Sequence, residues 1–276
     1  GRLFQKSVMP RIKPFNALRP VPEKAALVAS VPYDVVNRDE AATLAEGNPL
    51  SFLHVVRPDI DFPPEHNPYA PEVYERARQN FDQLVNNAVL TRDGSDCLFA
   101  YRQIQGQHAQ TGVVCCVHID DYENNLILKH EKTRRSKEDD RTRHVLALNA
   151  NAGPVFLTYR EQESVNRHVA QAMQQPPLYD FTAVDGVRHT VWRISECADL
   201  TTQLSSVPVF YIADGHHRYA ISRTFRFGEL AAEAAAIKLD KEPALKRPDQ
   251  YKFIGRRLER LDVPLKINGA AKYGMD

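Results

Sequence analysis

The sequence predicts an α+β fold in which a mixed or antiparallel sheet is flanked by helices. Runs rich in β-branched and aromatic residues are interspersed with stretches whose apolar residues recur at helical spacing, without a regular βαβ rhythm. One run, residues 209–213, breaks at Asp214-Gly215 and continues into a helix-compatible segment. That order predicts a strand, a tight turn and a helix start.

Composition limits the classes of function. The chain has 276 residues, of which 43% are hydrophobic and 26% charged, and its formal net charge is +1. So small a charge gives no support for a nucleic-acid or membrane partner, and neither is expected. The four cysteines have no CxxC spacing, which argues against a zinc site or disulfide framework and favours a cytoplasmic location. We find no apolar run near ~18 residues and no signal-peptide core at the start.

The N-terminal half predicts short helices separated by loops. Residues 23–29 can form one helix, and Asn37 can cap the next, with Glu40 at the capping-box position and a stop at Gly47. The elements expected after it are a strand over 51–56, a loop over 63–71 and a core-facing amphipathic helix over 72–88.

The C-terminal half predicts more strands. Its expected elements are a hairpin of residues 98–104 and 112–119, a buried strand over 153–159, a helix over 161–174 and a strand over 187–194. Cys115 and Cys116 would point to opposite faces of the hairpin, so neither is expected to be a nucleophile. Trp192 has the alternation of a core residue, and we expect it in the core rather than as a platform for adenine.

The turn at 214–218 predicts an anion site. Asp214 or Gly215 can lie near the helix N-cap, and the first-turn N–H groups would point outward with the positive end of the helix dipole behind them. His216, His217 and Arg218 add donors suited to phosphate oxygens. The alternative is a capped helix whose histidines are merely solvated. A zinc site is disfavoured, because adjacent helical residues diverge by about 100°.

Two candidate substrate-binding residues lie in the N-terminal half. Asp34, on a predicted loop, could hold a metal ion or a substrate amine, or could simply cap a turn. Arg57, at the end of a predicted strand, could contact a carboxylate or phosphate, or could form a surface ion pair.

A second polar cluster spans residues 129–143. His130-Glu131 places an imidazole beside a carboxylate, and a carboxylate near a substrate hydroxyl can take its proton or orient it during phosphoryl transfer. Thr133 and Arg134 could contact nucleotide or phosphate. The alternative is a charged helix face in which Glu131 is an ion-pair partner.

A series of motifs resembles, in the same order, those of one family. They are Pro14-Phe15, Leu18-Arg19-Pro20, Val31-Pro32-Tyr33-Asp34-Val35-Val36, Gly47-Asn48-Pro49, Ser51-Phe52-Leu53-His54, Arg57-Pro58, His130-Glu131-Lys132-Thr133-Arg134, Asp140-Arg141, Gly153-Pro154-Val155-Phe156 and Ile212-Ala213-Asp214-Gly215-His216-His217-Arg218-Tyr219. Over about residues 9–222 the chain is similar to the "domain of unknown function 1015" family, a relative of the ParB/sulfiredoxin-like nucleotide-binding proteins.

The resemblance implies a ParB/sulfiredoxin-like nucleotide-binding core and phosphorylation of a free amino acid, L-serine in related proteins. ATP or ADP would donate the phosphoryl group in the presence of Mg²⁺. Glu131 would be the catalytic base, Asp214 a catalytic metal or substrate ligand, His216 and His217 phosphate contacts with His216 also catalytic, and Arg218 a charge stabiliser. The main alternative is a nucleotide-binding module without turnover, in the manner of ParB-like switches.

The resemblance also sets the expected domains. Residues 1–8 are interpreted as an extension, 9–222 as a kinase-like domain that is incomplete at its C-terminus, and 223–276 as an unrelated, loosely packed tail. Motifs in the tail resemble the inter-domain stretch of molybdopterin-dependent hydroxylase large subunits, so a redox-enzyme fragment is a third interpretation; examples are Phe227-Gly228-Glu229-Leu230-Ala231 and Tyr251-Lys252-Phe253-Ile254-Gly255. A truncated domain would expose an apolar face, from which we expect self-association or reduced stability.

Overall fold

A computed structural model of the chain describes residues 9–130 and 135–218. Its helices are α1 (Ala25–Val28), α2 (Arg38–Ala45), α3 (Leu53–Val56), α4 (Pro71–Asn86), α5 (Ile119–Glu123), α6 (Arg135–Leu148), α7 (Glu163–Ala172) and α8 (Ala198–Ser205), with 3₁₀ helices at Pro22–Lys24 and Pro58–Asp61. The strands are β1 (Ile12–Lys13), β2 (Leu18–Pro20), β3 (Leu90–Arg92), β4 (Leu98–Gln105), β5 (His108–Val114), β6 (Cys116–Val117), β7 (Ile127–Leu128), β8 (Phe156–Thr158), β9 (Tyr179–Thr182), β10 (Arg188–Ile194) and β11 (Phe210–Asp214).

The strands form sheets of both orientations. The largest sheet has the order β5-β4-β10-β9 and is antiparallel throughout. In the three-stranded sheet β7-β11-β8, the central strand β11 runs parallel to β7 and antiparallel to β8. Two further pairs, β1-β6 and β2-β3, are antiparallel. Helices and sheets are therefore mixed without a βαβ repeat, which confirms the α+β class. Within the described residues, we find no helix with the length and apolar character that a membrane span requires.

One hydrophobic core lies against the inner face of the three-stranded sheet. Phe210 and Ile212 of β11 are buried, whereas Tyr211 between them is exposed, as the two-residue period of a strand requires. The inward pair packs with Val165 of α7 and Leu200 of α8. This core fixes the strand that leads into the 214–218 turn.

A second core joins the helices of the N-terminal half to α6. Val55 of α3 and Ala77 of α4 are fully buried and share this cluster with Leu148 at the end of α6. The Tyr74 hydroxyl of α4 also donates to Asp140 of α6 at 2.8 Å. The helices are thus held together by both apolar burial and a buried polar contact.

Most of the predicted elements are confirmed. The capping box at α2 is present: Asn37 Oδ1 accepts from the Glu40 N–H at 3.0 Å, and the Asn37 N–H donates to the Glu40 carboxylate at 2.8 Å. The amphipathic helices α4 and α7 and the hairpin β4-β5 form where they are expected. Trp192 is 4% exposed, and its Nε1–H donates to the Gln175 carbonyl at 3.0 Å, as a core residue does.

Three expectations about strands are wrong. Residues 51–56 form a turn and the helix α3 instead of a strand, since Ser51 Oγ accepts from the Leu53 N–H at 3.3 Å and starts a helical turn. The 153–159 strand is only three residues long, and Phe156 is 47% exposed rather than buried. The second hairpin strand begins at His108, because the chain reverses within two residues at Gly106, where φ is +58°.

His144 of α6 is a buried titratable group within the second core. It is 3% exposed, and its Nε2–H donates to the Val55 carbonyl at 2.7 Å. Burial lowers the pKa of His144 from 6.5 to about 4, so the imidazole is neutral in the folded protein at neutral pH.

We predict that His144 makes the protein lose stability in mild acid. The unfolded chain binds a proton near pH 6.5 that the folded protein binds only near pH 4, so the free energy of unfolding falls as the pH drops through that window. The full loss is about 3 kcal/mol, from 1.36 kcal/mol per pKa unit. In urea unfolding between pH 4 and 7, His144→Gln, whose amide can still donate to Val55, should show a flatter pH profile.

The matched control is His54→Gln. The hydrogen bond that His54 donates to Asp61 raises the pKa of His54, so this histidine stabilises the fold below its unfolded pKa and the effect is lost as the pH rises through the folded pKa. His54→Gln should therefore change the profile above pH 6.5 and leave the acid window as in the parent. Equal acid slopes in His144→Gln and the parent would contradict the assignment.

Candidate functional site

The strand, turn and helix start at 209–218 are confirmed. Strand β11 ends at Asp214, Gly215 has φ +91°, and residues 216–218 are helical. A Cβ at position 215 would lie 3.3 Å from Val155 Cα and 3.4 Å from Arg218 Nε. Glycine is thus required both by the backbone angle and by the close approach of the chain.

The Arg218 guanidinium is the centre of this site. Its side chain is only 10% exposed. Nη1 donates to the Pro154 carbonyl at 2.6 Å, while Nη2 donates to Asp214 Oδ2 at 2.5 Å and faces Asp34 Oδ2 at 3.4 Å. One side chain therefore joins three segments that are far apart in the sequence.

Two carboxylates converge on one nitrogen of this guanidinium. The side chains of Asp34 and Asp214 are 41% and 62% exposed, so both reach solvent although the cation that holds them is buried. The structure thus brings together the predicted residues Asp34, Asp214, Gly215 and Arg218. Among the described residues, no group of three or more histidine, cysteine, aspartate or glutamate side chains is placed to hold a metal ion.

Tyr33 packs beside the guanidinium and links the site to a hydrophobic cluster of α2 and α3, which contains Ala41 and Leu53. Its ring lies 6.0 Å from Arg218 Cζ and 4.1 Å from Arg141 Cζ, so it is placed between two cations. Arg141 is held in turn by Asp140, with Nε and Nη2 each 2.9 Å from Oδ2. Burial raises the pKa of Tyr33, which keeps its hydroxyl neutral.

Arg57 holds the loop that carries Asp34 through hydrogen bonds to backbone carbonyls of that loop. Its Nε and Nη2 donate to the Asp59 carboxylate at 3.0 and 2.8 Å, and its Nη1 donates to the carbonyls of Tyr33 and Val36 at 3.2 and 2.5 Å. These bonds engage all three guanidinium nitrogens. The described geometry therefore gives Arg57 an ion pair and a role in positioning the loop, and contact with a substrate stays a prediction.

The two adjacent histidines have different surroundings. His216 is 6% exposed, and its ring meets that of His130 edge-on, with 4.5 Å between centroids and 86° between planes. His217 is half-buried. His216 therefore links the turn to the segment that precedes α6.

The other predicted site residues, Glu131, Thr133 and Arg134, lie outside the described residues. Conversely, Tyr33, Arg141, Pro154 and His130 contact the site although sequence reasoning gave them no role in it. All four lie within the ordered motifs, and this ordered placement was the available signal.

A surface depression of about 410 Å³ lies elsewhere, at the C-terminal end of α2. It is lined by Ala42, Ala45, Glu46, Gly47, Asn48, Pro49, His54 and Ile60. None of these is a predicted site residue, and the lining is mainly apolar. We place the candidate site at Arg218, where the charged groups converge, and not in this depression.

The described structure is an α+β protein. Its candidate site is the turn at Gly215, which precedes a helix start and lies beside the carboxylates of Asp34 and Asp214. The chain belongs to the family described as "Protein of unknown function (DUF1015)", whose model matches residues 12–244. The match continues beyond residue 222, so the family covers the first part of the stretch expected to be an unrelated tail. No curated protein and no solved structure matches the chain.

We predict that Gly215→Ala destabilises the protein more than Gly186→Ala. Gly186 has φ +81° with nothing within 4 Å of an added Cβ, so its replacement carries only the left-handed backbone cost of about 1–2 kcal/mol. Gly215→Ala carries a similar cost and also crowds the Val155 backbone and Arg218. Urea unfolding of both variants measures the difference, and equal losses would show that the close approach at Gly215 is not a constraint.

Proposed function

We propose that this protein is a small-molecule kinase, which transfers a phosphoryl group from a nucleotide to the hydroxyl of a free amino acid. The observation that carries the proposal is the exposed pair of carboxylates, Asp34 and Asp214, held by a buried arginine at the start of a helix. L-Serine is the amino acid that the family resemblance favours. A cytoplasmic location suits four free thiols.

The carboxylate pair supports a role in holding Mg²⁺. This ion keeps several waters and is commonly bound by one or two carboxylates together with the phosphates of a substrate. Asp34 and Asp214 supply that set of oxygen ligands, and backbone N–H groups at the helix start could donate hydrogen bonds to phosphate oxygens beside them. When bound, the ion would neutralise charge on the phosphates.

Arg218 has a positioning role in this proposal. Both of its Nη atoms already donate to the protein, so it holds the two carboxylates in place rather than waiting for a phosphate. Its Nε–H is buried and has no hydrogen-bond partner in the described structure, so the three contacts of the Arg218 side chain all come from the Nη atoms. His216 and His217 then remain the candidate side chains for phosphate oxygens.

A nucleotide-binding module without turnover is the second candidate. The existing contacts of Arg218 favour a binding module. A guanidinium that already contacts two carboxylates and a carbonyl is less able to stabilise the charge that develops during phosphoryl transfer. Binding and turnover must therefore be measured separately.

We predict that the protein forms phosphoserine from ATP, Mg²⁺ and L-serine, which ³¹P NMR detects directly.

Asp214→Asn should reduce the Mg²⁺-dependent part of nucleotide affinity about tenfold or more, because a hydrogen bond or ligand contact to a charged group contributes about 1.5–3 kcal/mol. Asp34→Asn should act in the same direction. Asp185→Asn, on the β9–β10 turn, is the control. Nucleotide binding with no phosphoserine formed would favour the binding module.

We predict that Glu131→Gln lowers turnover about a hundredfold, within the usual range for loss of a general base. Nucleotide affinity and the melting temperature should stay as in the parent, since the amide keeps the size of the side chain. Steady-state kinetics and calorimetry test this. Turnover that survives the change would make Glu131 an ion-pair partner and Asp34 the better candidate for the base.

A further inference from the structure

We infer that the outer face of the three-stranded sheet β7-β11-β8 binds the base of the nucleotide, an inference that rests on the proposed function. The outer face consists of Leu128, Phe156, Thr158, Tyr211 and Ala213. Tyr211 pairs with Thr158 and Ile212 with Leu157 in regular register, and the register then shifts by one residue, so that Asp214 pairs with Phe156. The same strands that carry the candidate site therefore carry this face.

The outer face is apolar and open, unlike the inner face of the same strands. Phe156 is 47% and Tyr211 38% exposed, and Thr158 and Ala213 are also exposed. Phe210 and Ile212, which point the other way, are 4% and 1% exposed. Two partly exposed aromatic side chains on adjacent strands form an apolar patch, and contiguous patches of this kind mark binding surfaces.

The position of the face relative to Asp214 fits one part of a nucleotide. Phe156 is the cross-strand partner of Asp214, and Tyr211 lies three residues before Asp214, at most about 10 Å along the strand at 3.3–3.4 Å per residue, since the register shifts between Ile212 and Asp214. That distance is comparable with the span from the terminal phosphates of a nucleoside triphosphate to its base. Phosphates at the 214–218 turn would leave the base over the outer face.

The chemistry of the face also favours a base over the amino-acid substrate. Apart from Asp214, the three strands contain no charged residue. The small side chains of Ala213 and Thr158 give a planar group access to the sheet surface near Phe156 and Tyr211. Aromatic side chains stack on any base through its π-face. Free serine has too little apolar surface to cover two rings.

The test compares ATP with inorganic tripolyphosphate, each with Mg²⁺, by calorimetry on the full chain. Tripolyphosphate occupies the anion site without a base, so the ratio of the two affinities reports the base alone. We expect ATP to bind the parent at least tenfold more tightly than tripolyphosphate. Tyr211→Ala and Phe156→Ala should each remove most of this difference and leave tripolyphosphate affinity unchanged, whereas Tyr211→Phe should keep it.

Val184→Ala is the control, because Val184 is 90% exposed on the β9–β10 turn and belongs to neither site. Equal affinities of the parent for ATP and tripolyphosphate, or equal weakening of both ligands in the alanine variants, would overturn the inference. So would a dimer of the parent in sedimentation that Tyr211→Ala dissociates, since the face would then be a contact between copies. Base-dependent binding without phosphoserine would support the inference while rejecting the kinase. Failure of both ligands to bind would reject both.

Discussion

The position of one guanidinium determines how the rest of the candidate site is built. Arg218 is covered by Tyr33 and by two glycines, and a Cβ at Gly153 would lie only 3.1 Å from its Cδ. Its donors meet a carbonyl and two carboxylates that belong to three separate segments. A buried cation is stable only when it is paired and hydrogen-bonded, so these segments must converge for Arg218 to be buried at all.

The same arrangement connects two hydrophobic clusters of the described structure, the core under β11 and the cluster of α2 and α3. Strand β11, which leads to Arg218, rests on the core formed with α7 and α8. The loop with Asp34 is held by Arg57, and Tyr33 packs in the cluster of α2 and α3. Since each partner packs in its own cluster, the Arg218 contacts join the two clusters, and Asp34 and Asp214 become neighbours as a consequence.

Local sequence signals predicted the parts of the site but not their assembly. The apolar alternation before Asp214-Gly215 and the Asn37/Glu40 box each depend on residues a few positions apart, and both are confirmed. A short apolar run such as residues 51–56 is compatible with either a strand or a helix. In the structure, the contact of the Ser51 hydroxyl with the Leu53 N–H favours the helix. The contact of Arg218 with Asp34 spans 184 positions, which no local pattern can reveal.

The balance of charge at the site suggests how a metal ion would enter it. Asp34 and Asp214 would repel each other if they were adjacent without a cation. The shared contact with Arg218 reduces the negative charge of the site from −2 for the two carboxylates to −1 for the three groups. A site with one net negative charge and high exposure holds a hydrated divalent ion only weakly. Phosphate oxygens would supply the missing ligands and charge, so the proposed function favours entry of Mg²⁺ together with the nucleotide rather than before it.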